Sequence, residues 1–306
     1  MTSLISRTVI EEIHKRRLPV VSSYELFKLL WDVFQRPEKY PYKIRKKTSI
    51  PQRLQFNKLT AELLAERFIR PDADFQSHTG RTRLPYVFRI NENPDAPAED
   101  IFCLVDPFGA VAYLSALQRY GLTTRQPKAL SLMTLDAGAW WKGRKVKEHQ
   151  DYGFDPDARH LNYFVHLEQV AYPEKLRDRE ITVHRTKVSY KQKSVSDSYA
   201  RILEIGSLFV QTLDAPTLCG GIEHVLEIWD HHAEIYLQEI IAAVNDYASS
   251  IVKVRAGYIL TERMGLSDSR IEAWKRFAQR GGSRKLDPSR PYSPTFSEAW
   301  MLSLNV

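Results

Sequence analysis

The 306-residue sequence predicts an α+β protein, and three observations carry that expectation. The first ninety residues hold three apolar stripes at helical spacing and then a strand, a polar turn and a returning strand. The middle of the chain mixes strand-like and helix-like runs, and from Ser207 onward the patterning is helical. At 43% hydrophobic and 26% charged residues the chain has the composition of a folded protein, long enough for two cores or one large one.

Taken in order, the first helix is predicted over Ser3 to Arg16, where Val9, Ile10 and Ile13 share a face and Pro19 follows soon after. Ser22 and Ser23 offer N-caps for a second helix. Its apolar positions Leu26, Phe27, Leu29, Leu30, Val33 and Phe34 keep helical spacing until Pro37 forbids continuation. A third helix, over about 50–66, is capped by Thr48-Ser49 and carries Pro51 in its first turn, where a missing N–H costs little. On it Phe56, Leu59 and Leu63 form one stripe, while Arg53, Asn57 and Lys58 point away. Phe68-Ile69-Arg70 and LPYVFRI read as strands flanking a polar turn at Gly80. Three helices followed by strand, turn and strand is the order of a winged helix-turn-helix. The Pro- and acid-rich run after it predicts a linker at 93–100, which separates a DNA-binding domain at 1–92 from an effector domain at 101–306.

In the effector domain IFCLV, KALSLMTL, HLNYFVHLEQV and REITVHRTKVSY read as strands, with a helix starting near Asp106-Pro107. Helices are expected over SLFVQTLDAP, IEHVLEIWDHH, a stretch through Tyr236 and Val244, about Ser249–Met264 and Asp268–Phe277.

Charge is unevenly divided. Residues 1–92 hold 18 Lys and Arg against 10 Asp and Glu, a net +8, which leaves 26 against 27 in the remainder. Within 36–58 eight cations face one acid, Glu38. Such a density attracts a polyanion, although a solvated loop face accounts equally for composition alone. In a winged helix-turn-helix the third helix enters the major groove and the wing touches backbone or minor groove. The DNA-binding candidates are therefore Gln52, Arg53, Asn57 and Lys58 on that helix, Arg45, Lys46 and Lys47 before it, and His78, Arg81 and Arg83 around Gly80. Arginine and asparagine pair bidentately with guanine and adenine, so Arg53 and Asn57 suit bases, and the lysines suit phosphates.

Other motifs read more plainly as structure. His224 and His231 lie two helical turns apart, about 10.5 Å, too far to share one ion. Trp140-Trp141 among basic residues offers stacking for single-stranded bases, or an amphipathic surface segment. Asp155 and Asp157 lie well upstream of Gly281-Gly282-Ser283, so no metal-holding acidic pair follows that turn, and there is no P-loop, G-x-S-x-G or H-E-x-x-H. Neither catalysis, a metal nor a cofactor is expected. Cys103 and Cys219, set in apolar surroundings, read as buried thiols, and without a long apolar segment the chain is expected in the cytoplasm.

Four separated segments, AVAYLSALQRYGL (110–122), SLFVQTLDAPTLCGGIEHVLEIW (207–229), VRAGYILTERMGL (254–266) and KLDPSRP (285–291), with Trp300 and Asn305-Val306, resemble AbiEi-type antitoxins. The resemblance implies a transcriptional autorepressor of a type IV toxin–antitoxin system. Such a protein binds inverted-repeat duplex DNA, as a monomer or a DNA-assisted dimer, and its C-terminal domain counters a nucleotidyltransferase toxin without a stable complex. The alternative is a winged-helix regulator whose second domain senses a small ligand.

Overall fold

A computed structural model describes residues 3–40, 50–75, 86–154, 163–281 and 284–306. The fold is mixed α and β. Helix α1 (Leu4–Lys15) starts at Ser3, whose hydroxyl accepts from the Ser6 N–H, and strand β1 (Val20–Ser22) leads into α2 (Ser23–Gln35), capped by the Ser22 hydroxyl on the Glu25 N–H at 3.1 Å. Helix α3 (Arg53–Ala65) follows, then β2 (Ile69–Pro71) and β3 (Val87–Ile90). These strands form an antiparallel sheet in the order β1-β3-β2, with Val21 opposite Phe88 and Arg70 opposite Arg89.

The chain then forms α4 (Ala98–Val105), β4 (Ala110–Val111), α5 (Tyr113–Arg119), β5 (Leu130–Leu135) and α6 (Ala137–Tyr152). The IFCLV run is thus helical, a correction to the expected strand. A short apolar run fits a strand or a buried helix equally, and Pro97 before Glu99 and Asp100 supplies the helix start, with acids on the positive end of the dipole. The same segment corrects the linker, since Ala98 and Asp100 are buried. Asp106-Pro107 is a turn, not a helix start: the Asp106 carboxylate accepts from the Phe108 N–H at 2.8 Å, and its second oxygen from the Thr134 hydroxyl at 2.5 Å.

Two compact units emerge, and they interleave along the sequence. The first takes 1–109, 133–188 and 196–200; the second takes 110–132, 189–195 and 201–306. The division therefore does not fall at 93–100. In the first unit the helices α1 to α3 share their core with α6 and the segment after it. Phe27 packs edge-on to Phe56 at 5.8 Å and to Phe164 at 5.9 Å, and Trp31 packs on Tyr152 at 5.3 Å.

Residues 163–173 are irregular where a strand was expected. Side chains take the place of a neighbouring strand: the Glu148 carboxylate accepts from the Leu167 N–H at 2.8 Å, the Tyr86 hydroxyl from the Glu168 N–H at 2.8 Å, and the Tyr152 hydroxyl donates to the Val165 carbonyl at 3.1 Å. Strands β6 (Lys175–Leu176) and β7 (Arg179–Thr186) pair through a two-residue turn with positive φ at Arg177 (49°) and Asp178 (61°). From it Arg177 reaches three carboxylates, Asp72 at 2.6 Å, Asp95 at 3.0 Å and Asp74.

In the second unit β8 (Gln192–Ser194) pairs antiparallel with β9 (Arg201–Leu203), which runs parallel to β4 with Val111 opposite Ile202. Helices α7 (Ile205–Asp214), α8 (Ile222–His232), α9 (Leu237–Asp246) and α10 (Ser250–Tyr258) follow, the last running into a π-helical turn over Ile259–Arg263. A short α11 (Ser269–Glu272) and the pair β10 (Phe296–Ser297) and β11 (Leu302–Ser303) close the unit. Glycine sets two of its contacts: a Cβ on Gly206 would lie 2.2 Å from the Glu239 carbonyl, and one on Gly257 would lie 2.2 Å from the Trp300 ring. Buried Arg255 donates to the Leu213 and Lys285 carbonyls, each at 2.8 Å, and burial lowers its guanidinium to about 10. Among the described residues no helix is long and apolar enough to cross a membrane.

Candidate nucleic-acid interface

Helix α3 and its N-cap Gln52 carry the four candidate residues that the structure describes. The Gln52 N–H donates to Oε1 of Gln55 at 2.8 Å, which ties down the first turn, and Gln52 itself is half-buried. Phe56, Leu59 and Leu63 are buried with Thr60, whose hydroxyl returns to the Phe56 carbonyl at 2.9 Å; Arg53, Asn57 and Lys58 are exposed. The rotation expected from the apolar stripe is the one observed. At about 100° per residue, the exposed Arg53, Asn57, Ala61, Leu54, Ala65 and Lys58 fall in that angular order within an arc of about 140°.

The flank of α3 beside Lys58 is held to α1. The Glu62 carboxylate accepts from the Ser6 hydroxyl at 2.6 Å and the Ser3 N–H at 3.2 Å. Partial burial works against its charge, but those hydrogen bonds prevail and keep it below the usual carboxylate range. Lys58 lies 3.9 Å from Glu62 with its side chain 73% exposed, an i,i+4 pair open to water and therefore weak.

Arg45, Lys46 and Lys47 lie outside the described residues, as do His78, Arg81 and Arg83, so the face of α3 is the part of the candidate surface that is in view. Two further cations stand nearby in sequence, outside the helical pattern: Arg67, exposed at a positive φ of 55°, and Arg70, exposed on β2. Leu54 also stands on this face, although a leucine in a helix reads as core by default. Its angular distance from Phe56 and Leu63 was the signal that placed it outside.

The other motifs separate. Trp140 is buried, whereas Trp141 is 53% exposed on α6 with the Arg144 guanidinium 4.7 Å above its ring, so this segment is helical and only one of its two indoles faces water. His224 is committed to protein groups, with Nε2 2.8 Å from the Thr123 hydroxyl and Nδ1 2.7 Å from the Cys219 carbonyl. It borders an open cavity of about 370 Å³ with His231, His232, Thr124 and Arg125. Among the described residues no group of three His, Cys, Asp or Glu is placed to hold a metal. Asp155 and Asp157 lie outside the described residues, as do Gly282 and Ser283. Cys103 and Cys219 are both buried thiols; that of Cys103 donates to the Gly109 carbonyl at 3.4 Å, and burial raises that of Cys219.

No known family model matches the chain, and no curated protein does. Among solved structures it is similar to the crystal structure of the RV2827C protein from Mycobacterium tuberculosis, at 11% identity over 99% of this chain and 92% of that one, with a TM-score of 0.41, a likeness that bears on neither family nor function.

Proposed function

We propose that the first unit binds double-stranded DNA as a winged helix-turn-helix, with α3 in the major groove, and that the chain is a transcriptional autorepressor. The observation that carries this reading is the outward face of α3. Arg53 and Asn57 stand one turn apart on it, with Lys58 at its edge, inside a 23-residue stretch of net charge +7. Supporting it are the element order α1-β1-α2-α3-β2-β3 and the sheet order β1-β3-β2, in which α3 is the third helix and two antiparallel strands follow it. The antitoxin role rests on the resemblance of 110–122, 207–229, 254–266 and 285–291 to AbiEi-type proteins.

The test is duplex binding by the full chain across salt concentration. Each phosphate contact releases counterions, so log affinity should fall linearly with log salt, with a slope of several units. A flat response contradicts the reading. The antitoxin part is tested by growth rescue in cells expressing a nucleotidyltransferase encoded beside this gene, and absence of rescue by the folded chain removes it.

A further inference from the structure

The outward face of α3 is not purely polar. Leu54 is 75% exposed, more than the other exposed large hydrophobics among the described residues, which include Ile235 at 71% and Val146 at 58%. A single leucine in water is unremarkable on a protein surface, but this one has a particular place. On the helical wheel it stands about 100° from Arg53 and 60° from Asn57 on one side and 40° from Lys58 on the other, with Ala61 two turns further along nearly the same line. The apolar centre of a cationic face is the part of it that meets the floor of a groove, while its edges meet the walls. Alanine at 61 and 65, further along the same face, leaves room for the helix to sit low over its later turns.

Resting on the reading of α3 as a DNA-reading helix, we propose that Leu54 is a specificity-determining residue that packs against the C5 methyl group of a thymine in the major groove. Leucine has neither donor nor acceptor, so it reads none of the polar groups on a base edge. The methyl of thymine is the apolar feature the major groove displays, and it distinguishes T·A from the other pairs. Arg53 and Asn57 then read guanine and adenine beside it, and Leu54 excludes water from the side of Asn57 away from Arg53.

The experiment uses the full chain to select duplexes from a random pool, then replaces each thymine of the enriched sequence in turn by deoxyuridine, which removes the methyl and keeps every hydrogen bond. One replacement should weaken wild-type binding about fourfold, the worth of one buried methyl. Leu54→Ala should bind the thymine and deoxyuridine duplexes equally. If the chain binds no duplex, the DNA reading itself fails. If duplexes are bound but no sequence is enriched, if the enriched sequence lacks thymine, or if the replacements are all silent, the role of Leu54 is overturned while the DNA reading stands. The role is equally overturned if Leu54→Ala keeps the fourfold difference, or if that change alters the mass of the free protein in sedimentation, because Leu54 would then serve a contact between copies.

Discussion

Phe27 of α2 and Tyr152 at the end of α6 meet edge to face, with ring centroids 6.1 Å apart, and Tyr24 donates its hydroxyl to Asp151 at 2.8 Å beside them. The faces of α2 that an N-terminal domain would show to water are therefore occupied by residues more than a hundred positions later. A fragment of residues 1–92 lacks Tyr152, Phe164 and Asp151, and loses several large aromatic contacts worth about 0.5–1.5 kcal/mol each beyond the area they bury. We expect it to be unfolded or molten, giving poor dispersion in its NMR spectrum. A well-dispersed spectrum with a cooperative urea transition would show that α1 to β3 need no help from α6.

Arg177 gathers Asp72, Asp74 and Asp95, and Asp72 is almost fully buried. Replacing it with methionine leaves those carboxylates facing one another without their main counter-charge. The loss should be about 3–5 kcal/mol in urea unfolding of the full chain. Arg177→Lys should recover only part of it, because an ammonium cannot match several carboxylates with a planar fork. A change below about 1 kcal/mol for methionine would mean that solvent or a neighbouring cation such as Arg89 already compensates the cluster.

Glu148 offers a pH test with a defined sign. Burial opposes its charge, yet the His166 ring at 3.2 Å, the Leu167 N–H and the Arg144 guanidinium at 2.9 Å hold the carboxyl below its ordinary value of 4.5. A carboxylate depressed by folding contributes stability that is present above its unfolded pKa and lost as pH falls through the lower folded value. Acidification below about pH 4.5 should therefore destabilise the wild type more steeply than Glu148→Gln. Parallel curves for the two proteins would remove Glu148 from the balance.

Gly206 is tested by adding one methyl group. Alanine there must push on the Glu239 backbone, where α7 and α9 approach closely, and should cost about 1–3 kcal/mol. Gly138 is exposed near the start of α6, and its nearest neighbour to an added Cβ is an Asp136 oxygen at 3.7 Å, so Gly138→Ala should be neutral or gain up to about 1 kcal/mol. Equal effects at the two sites in thermal melts would contradict the close packing of α7 on α9.

Much of this was legible in residue order because local chemistry decided it. A serine at 22 or 23 could cap α2 and Pro37 could not continue it, and the Phe56, Leu59 and Leu63 stripe fixed which side of α3 faces inward. What could not be read was set by distant partners. The 163–173 segment has a strand-like pattern, but Glu148, Tyr86 and Tyr152 satisfy its backbone from other parts of the chain. The acidic run into α4 has the composition of a linker, but Asp95 meets Arg177, Glu99 and Asp100 stand in the first turn of a helix, and Ser198 donates to Asp100 at 2.5 Å, uses that leave no mark in composition. On the candidate surface, the cations of α3 are legible because charge is visible in a sequence; Leu54 is less so, because a leucine reads as core unless its angle from Phe56 and Leu63 is weighed against its residue type.

The central claim is that the outward face of α3 reads bases, and the most direct measurement compares Arg53→Ala with Lys58→Ala on two duplexes, one selected by the full chain and one random. A guanine-reading arginine should lose about 1–3 kcal/mol on the selected duplex and little on the random one, whereas a phosphate-holding lysine should weaken both alike and lower the salt slope by about one unit. Equal losses on both duplexes for Arg53→Ala would contradict base reading by this face.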